Sequence, residues 1–514
     1  MPSWQSGITL SAANPQTFRS VRTAVYHIQQ IMKPAEESSS PPTYNVHITE
    51  SKAQENSWAD NFSNWRKKHI SDFTFLISLS LIVGVLAGAA AYIFKIAIHY
   101  ISSLFIPHIQ DHTVNWWILL IPVGGILITG IFTRYIIHTN LTHGVSQLMR
   151  DLKHHTYRLR GNLMYSSIVG GSFTLGMGGS SGAEGPIAYT GAAIGSNVAQ
   201  LFRLPPEMIK ALIGCGASAG IAGIFSAPIG GLMFAIELLH IKMSVREILA
   251  ATVASLAAYL TMFTCKGFHP DLTFIPLSGF DPDLIPTVVC LGFFCGLYCT
   301  YYSFVTSRMD TFFKRISNPW RRNITGGLIL GIIILIFPSM FSVGYPVIGN
   351  IINGDCSALA KGSILEHMAN PATLLPLCAA GILLFKCFAV ASTNCSGGVG
   401  GDFAPTLFAG SMAGFLFASL CNNVLGLDLP VGIFAYLGMA GVMAGVIEAP
   451  LMTIFITMEM TQSYRFALPL VVCATTSFIT VKCIAKLAGI RHPLVIHNRW
   501  FTHGHPEPTA NSKE

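Results

Sequence analysis

Charge is what this sequence has little of. Of its 514 residues only 11% are Asp, Glu, Lys or Arg, against 51% hydrophobic, and the mean hydropathy is +0.54. That balance lies outside the range of soluble globular domains and reads as a membrane protein. The basic residues are dispersed, with loop clusters at Arg66-Lys67-Lys68 and 153–160, and no basic stripe carries interleaved aromatics. The net charge of +7 is therefore not a nucleic-acid signal, and no nucleic-acid partner is expected. Twelve cysteines are scattered through apolar segments without metal-ligand spacing, Cys295-x-x-x-Cys299 being the nearest approach, so they read as small buried hydrophobes. No intramembrane Ser/His pair, Asp pair or His-Glu-x-x-His arrangement is present. An enzyme is not expected, nor is a cofactor or a metal site.

What is present is apolar length. Six stretches are long enough to cross a bilayer: 73–105, 116–137, 248–265, 286–305, 326–343 and 374–390. Others are short and interrupted by Gly or Pro: 161–176, 209–224, 228–240 and 450–460. Broken segments at membrane depth belong to channels and transporters, where irregular backbone lines a cavity. Residues 1–68 form a polar segment with no apolar signal region, and Arg66-Lys67-Lys68 ahead of the first span places the N-terminus in the cytoplasm. Residues 69–498 are then an all-α polytopic transmembrane domain, and 499–514 a short polar tail with no regulatory domain.

The rest of the chain is organised around Gly178-Gly179-Ser180-Ser181-Gly182-Ala183-Glu184-Gly185-Pro186. Glycines expose backbone N–H groups that can wrap a small anion. Pro186 suits the first turn of a helix, and that helix aims its partly positive N-terminus back at the loop. One carboxylate, Glu184, stands where it can occupy or block such a site. The plainer alternative is a tight turn with Glu184 as a solvated cap.

A repeat supports the first reading. Residues 216–228 end in Phe225-Ser226-Ala227-Pro228, followed nine residues later by Glu237; residues 438–450 end in Glu448-Ala449-Pro450, followed nine residues later by Glu459. A second glycine loop, Ser396-Gly397-Gly398-Val399-Gly400-Gly401-Asp402-Phe403-Ala404-Pro405, precedes the second copy as the Glu184 loop precedes the first. Two related halves, about 70–265 and 284–498, suggest a transporter with its site at their interface.

These motifs resemble the CLC family of chloride channels and chloride/proton exchangers. Gly182-Ala183-Glu184-Gly185-Pro186 is similar to its G-[KR]-E-G-P motif and Gly401-Asp402-Phe403-Ala404-Pro405 to its G-x-F-x-P motif. Thr142-His143-Gly144-Val145-Ser146 stands where its G-S-G-I-P motif belongs. The resemblance implies inverted halves of short, tilted and broken helices, in a homodimer with one pore per subunit. It makes Glu184 the gate, with chloride bound near His143, Gly144, Gly182, Ala183, Gly185, Asp402, Phe403, Ala404 and Val495. The partners it implies are chloride, a second copy and the lipid bilayer, and the expected location is a bacterial inner (plasma) membrane.

The sequence also departs from the family pattern. His143 replaces the filter serine, and an imidazole can donate to an anion and charge near neutral pH. Val495 replaces a pore tyrosine, widening the inner gate. Asp402 puts an acid beside an anion site, for which helix capping is the expected reason. Ala183 lacks the usual basic side chain. Leu238 falls where exchangers carry an inner proton-transferring glutamate, which argues for a channel-like or weakly coupled chloride pathway. A stoichiometric antiporter using His240 or His143 for protons is the alternative, and an ion-coupled carrier of another family a distant one. The fluoride-exporting branch is disfavoured by Pro186. Glu237 and Glu459 are expected to satisfy helix ends.

Overall fold

A computed structural model describes residues 65–66, 68–106, 116–138, 144–241, 243–267, 280–359, 361–363 and 371–488. Among them are sixteen α-helices and no strand. In the first half these are α1 Asp72–Ser103, α2 Leu120–Ile131, α3 Gly144–Lys153, α4 Leu163–Gly176, α5 Glu184–Leu201, α6 Pro206–Phe225, α7 Pro228–Met233 and α8 Val245–Cys265. The second half follows with α9 Ile285–Lys314, α10 Pro319–Ile336, α11 Tyr345–Ile352, α12 Pro371–Ser396, α13 Phe403–Leu425, α14 Val431–Ile447, α15 Pro450–Thr461 and α16 Ala467–Leu487.

Among the described residues, eight helical spans are long and apolar enough to cross a membrane. They divide by burial. Along Pro206–Phe225 and Phe403–Leu425, 89% and 83% of the apolar window is buried, against 33% along Tyr464–Leu487. The first two are therefore central and the last peripheral, with Leu468 and Ile479 exposed where lipid chains would lie. Three expectations are corrected here. The 209–224 segment is not a short broken piece but part of the long helix α6. Conversely, 326–343 is not one span, because α10 stops at Ile336, ahead of Phe337 and Pro338. Cys265, Cys290 and Cys483 are also exposed rather than buried.

The central helices approach closely because glycines face each other at their crossings. A Cβ on Gly191 would strike the carbonyl of Gly216, and one on Gly216 would strike that of Gly191. Gly410 and Gly438 repeat this relation between α13 and α14. Small residues at such crossings allow the backbone contact that replaces hydrophobic driving force inside a bilayer.

The repeat is equally visible in the breaks. α6 ends at Ser226 and α14 at Glu448, both left-handed, with φ of 55° and 61°. Ala227 and Ala449 then leave the helical region, with φ of −128° and −127°, and a proline opens the next helix in each half. The glutamates that follow cap each other's helices. Glu237 accepts from the N–H groups of Leu451 (3.2 Å) and Met452 (2.6 Å) at the start of α15. Glu459 accepts from those of Ile229 (3.0 Å) and Gly230 (2.8 Å) at the start of α7. Each carboxylate thus satisfies two of the orphan donors of the opposite half.

Candidate functional site

The two glycine loops meet. Gly182 N–H donates to the Gly401 carbonyl (2.9 Å) and Gly401 N–H to the Gly182 carbonyl (2.8 Å), a two-bond antiparallel bridge between the halves. Neither loop stands alone. Ser180 N–H donates to Thr393 Oγ1 of α12, and Val399 N–H to Thr174 Oγ1 of α4, both at 3.1 Å. Each threonine sits six residues ahead of the matching donor in its own half, so the loops hold each other by an exchanged pair.

The bridge directs two helix N-termini, those of α5 and α13, at one small space. The Glu184 carboxylate fills it. Its Oε1 accepts from Phe403 N–H at 2.6 Å. A Cβ on Gly182 would collide with both carboxylate oxygens, and one on Gly401 with Oε1. Those two glycines are therefore required by space: they form the cradle in which the carboxylate lies. Glu184 is 1% exposed, and Oε2 has no hydrogen-bond partner. A solvated cap is excluded. A third helix N-terminus arrives with Gly144 of α3, where a Cβ would strike the Gly185 carbonyl.

Gly144, Gly182, Ala183, Glu184, Gly185, Asp402, Phe403 and Ala404 are thus brought together. His143 and Val495 lie outside the described residues. The capping role expected of Asp402 is corrected: it holds the N-cap position of α13, but its side chain makes no cap bond and accepts from Asn394 Nδ2 at 3.0 Å instead. Asn394 in turn accepts from Ser181 Oγ at 2.8 Å. Leu238 is buried at the end of the π turn Phe234–Leu238 that continues α7. The same turn places Phe234 edge-on to Phe403, ring centroids 6.0 Å apart. His240 is exposed, and its Nδ1–H donates to the Leu238 carbonyl at 2.9 Å.

Sequence reasoning missed Lys386. This residue of α12 is fully buried, with Nζ donating to Ser180 Oγ at 2.8 Å and lying 4.5 Å from the centre of the Phe408 ring. It sets an amine against the first loop through Ser180, although Ala183 supplies no basic side chain there. The signal was a lone lysine within the apolar stretch 374–390, where ionisable residues are costly and functional by default.

A space lined by backbone N–H groups and helix N-termini, with a carboxylate lodged in it, suits a weakly hydrated anion. Comparison with known proteins agrees. A sequence model of the family described as "Voltage gated chloride channel" matches residues 124–482. The chain belongs to this family, the CLC proteins. This CLC chain is 27% identical over 431 residues to the "H(+)/Cl(-) exchange transporter ClcA" of Vibrio vulnificus, covering 80% of this chain and 87% of the relative. It is 29% identical over 437 residues to "Chloride channel protein CLC-e" of Arabidopsis thaliana, covering 77% and 58%. The solved structure of a slow cyanobacterial Cl−/H+ antiporter matches its fold with a TM-score of 0.70 at 21% identity, over 83% of this chain and 98% of that one. CLC-type anion transport by a multi-pass membrane protein follows from the family, and a carrier of another family is ruled out with it.

Proposed function

We propose that this CLC chain exchanges chloride for protons, with Glu184 as the group that both ions meet. One observation carries the reading: the Glu184 carboxylate is buried on the N–H groups that open α13, in a cradle shaped by Gly182 and Gly401. A carboxylate and a chloride ion compete for such donors, and a proton on the carboxylate decides the competition by removing its charge. Chloride occupancy and proton binding are thereby linked at one side chain. The channel-like reading drawn from Leu238 is set aside, because the Vibrio relative is named an exchanger and the cyanobacterial neighbour an antiporter. Leu238 cannot carry a proton, so another group must. His240, exposed and bonded to the Leu238 carbonyl, is our candidate for the entry. His143, directly before Gly144, and Val495 are assigned to the inner end of the anion pathway. The working unit in this reading is a homodimer in a bilayer, one pore per subunit, which native mass spectrometry checks.

The test is a chloride gradient across proteoliposomes followed with a pH electrode. Uphill proton movement is expected in the wild type, and chloride flux without it in Glu184→Gln. His240→Ala should slow pumping more than chloride flux, and Leu238→Glu should speed it. Chloride flux in the wild type with no uphill proton movement would restore the channel-like reading. For His143, serine substitution should flatten the rise in chloride affinity as internal pH falls through about 6.5, the ordinary histidine value. Equal affinities in the two proteins at both pH values remove His143 from the pathway.

A further inference from the structure

Asp402 has no task in the exchange described so far, and the geometry of α13 gives it one. An aspartate at an N-cap normally accepts from the N–H of the second or third helical residue. In α13 the third residue is Pro405, which has no N–H, so Ala404 is the only such donor. The N–H of Phe403, the first residue of the same helix, donates to the Glu184 carboxylate from the other half at 2.6 Å. Glu184 therefore occupies the place of the cap. Asp402, displaced, is turned aside to Asn394 Nδ2 at 3.0 Å.

We infer that Asp402 is a second proton-binding residue of the transport cycle, a tethered carboxylate that competes with the transported anion for the N-terminus of α13. When Glu184 takes up a proton and leaves, the freed donors stand within reach of two anions, chloride and the Asp402 carboxylate one residue away. Chloride holds the site fully only once Asp402 is also protonated. Each admission of chloride then takes up two protons, one on each carboxylate, and its departure releases both. The inference rests on the gating reading of Glu184.

The surroundings fit a second proton. The titratable groups facing Asp402 are Glu184 at the start of α5, Tyr302 on α9 and Cys395 on α12. Tyr302 is 2% exposed and its hydroxyl has no hydrogen-bond partner. An unpartnered buried hydroxyl there can donate to whichever carboxylate turns toward it. The cation on α12, Lys386, is turned away to Ser180 and Phe408 and does not pair with Asp402. On α14, Tyr436 bonds to Thr461 and the Ser463 carbonyl. No ion pair of Asp402 is present among the described residues to fix its charge.

Titration calorimetry of chloride binding to the full chain in detergent, repeated in buffers of different ionisation enthalpy, counts the protons taken up per chloride. In a His143→Ser background, which removes that histidine's own linkage, about two are expected at maximum with both carboxylates present, about one for Asp402→Asn, about one for Glu184→Gln, and none with both replaced. An uptake in Asp402→Asn equal to that of the background protein overturns the inference. An uptake in Glu184→Gln equal to that of the background protein overturns instead the gating reading beneath it. Should Asp402→Asn fail to fold, Glu184→Gln decides with Asp402 intact. Its chloride affinity must fall about tenfold per pH unit above the Asp402 titration, and an affinity flat with pH refutes the second proton.

Discussion

The two glycine loops have nearly the same backbone and opposite chemistry. Ala183 and Asp402 occupy equivalent N-cap positions, with φ and ψ of −80° and −12° in one and −105° and −5° in the other. The next residue is Glu184 in the first half and Phe403 in the second. The first loop therefore supplies a side-chain carboxylate and the second supplies main-chain donors. Because the duplicated halves hold each other's loops and cap each other's helices, the seat is rigid while the group seated in it is a side chain. A gate can move only if its socket does not, and the repeat provides the socket.

Exchanging the side chain in each loop tests this difference most severely. Glu184→Gln should abolish proton pumping and reduce the pH response of chloride flux to the part that Asp402 carries. Phe403→Leu should keep both, since only the Phe403 N–H is used, with flux within about threefold of the wild type after loss of its edge contact to Phe234. Proteoliposome flux between pH 5 and 8 measures both variants. If Phe403→Leu were as damaging as Glu184→Gln, the division between side-chain gate and main-chain seat would be wrong.

The cradle comes next. Gly401→Ala brings a Cβ against Glu184 Oε1 and to 3.0 Å from the Gly185 N–H, and Gly182→Ala brings one against both oxygens from the facing loop. Crowding of this kind costs about 1–3 kcal/mol, which shifts the seated gate toward the displaced state by roughly ten- to a hundredfold. Chloride efflux at alkaline pH, where the proposed gate stays charged and seated, should rise in both variants. A rise in only one would mean that the carboxylate leans on a single loop.

The capping exchange should show a smaller and unequal effect. Glu459→Ala leaves two donors of α7 without a partner, and Glu237→Ala two of α15. Glu459 is 6% exposed whereas Glu237 is only half-buried, so water can replace the second bond more readily than the first. Losses of about 3 kcal/mol for Glu459→Ala and about 1–2 kcal/mol for Glu237→Ala follow from charged hydrogen bonds of that kind. Guanidinium unfolding in detergent, read by tryptophan fluorescence, gives the comparison. Equal losses would show that exposure does not set the value of these caps.

Much of this arrangement was legible in the residues because it depends on backbone. Glycine at 182 and 401 and proline at 186 and 405 mark helix starts in any context, and Ala-Pro at 227–228 and 449–450 marks the breaks. Equal Pro-to-Glu spacing pointed to capping without saying that each glutamate caps the other half, since a single half contains no partner. Lengths were less legible. Gly and Ala in α6 read as interruption because local propensity penalises glycine, while the folded chain uses the same glycines to let helices touch. Asp402 was misread for a similar reason: capping preference is a local rule, and the donor it needed was taken by a residue 218 positions earlier. Lys386 was overlooked because its partner, Ser180, lies in the other half.

The exchanged threonines give the finest test of whether the halves are equivalent. Thr174 Oγ1 accepts from Val399 N–H at 3.1 Å and also shares a hydrogen bond with Thr129 Oγ1 at 2.9 Å. Thr393 Oγ1 accepts from Ser180 N–H at 3.1 Å and donates to the Ala389 carbonyl four residues back at 2.9 Å. Valine at either position keeps the shape and removes the acceptor, leaving a buried N–H unpaired at a cost of about 1–2 kcal/mol. Thr174→Val also strips Thr129 of one partner, but Thr129 Oγ1 still donates to the Gly170 carbonyl at 3.0 Å. The two losses should therefore agree to within about 0.5 kcal/mol. Function should separate them. Ser180 carries the Lys386 contact as well, so loosening its N–H in Thr393→Val also disturbs the buried cation under the first loop. Val399 has no such neighbour to pass on. Thr393→Val should consequently weaken chloride binding by roughly threefold, and Thr174→Val should leave it nearly unchanged. Calorimetry on the two proteins decides the matter, and equal affinities would mean that Lys386 does not act on the anion through Ser180.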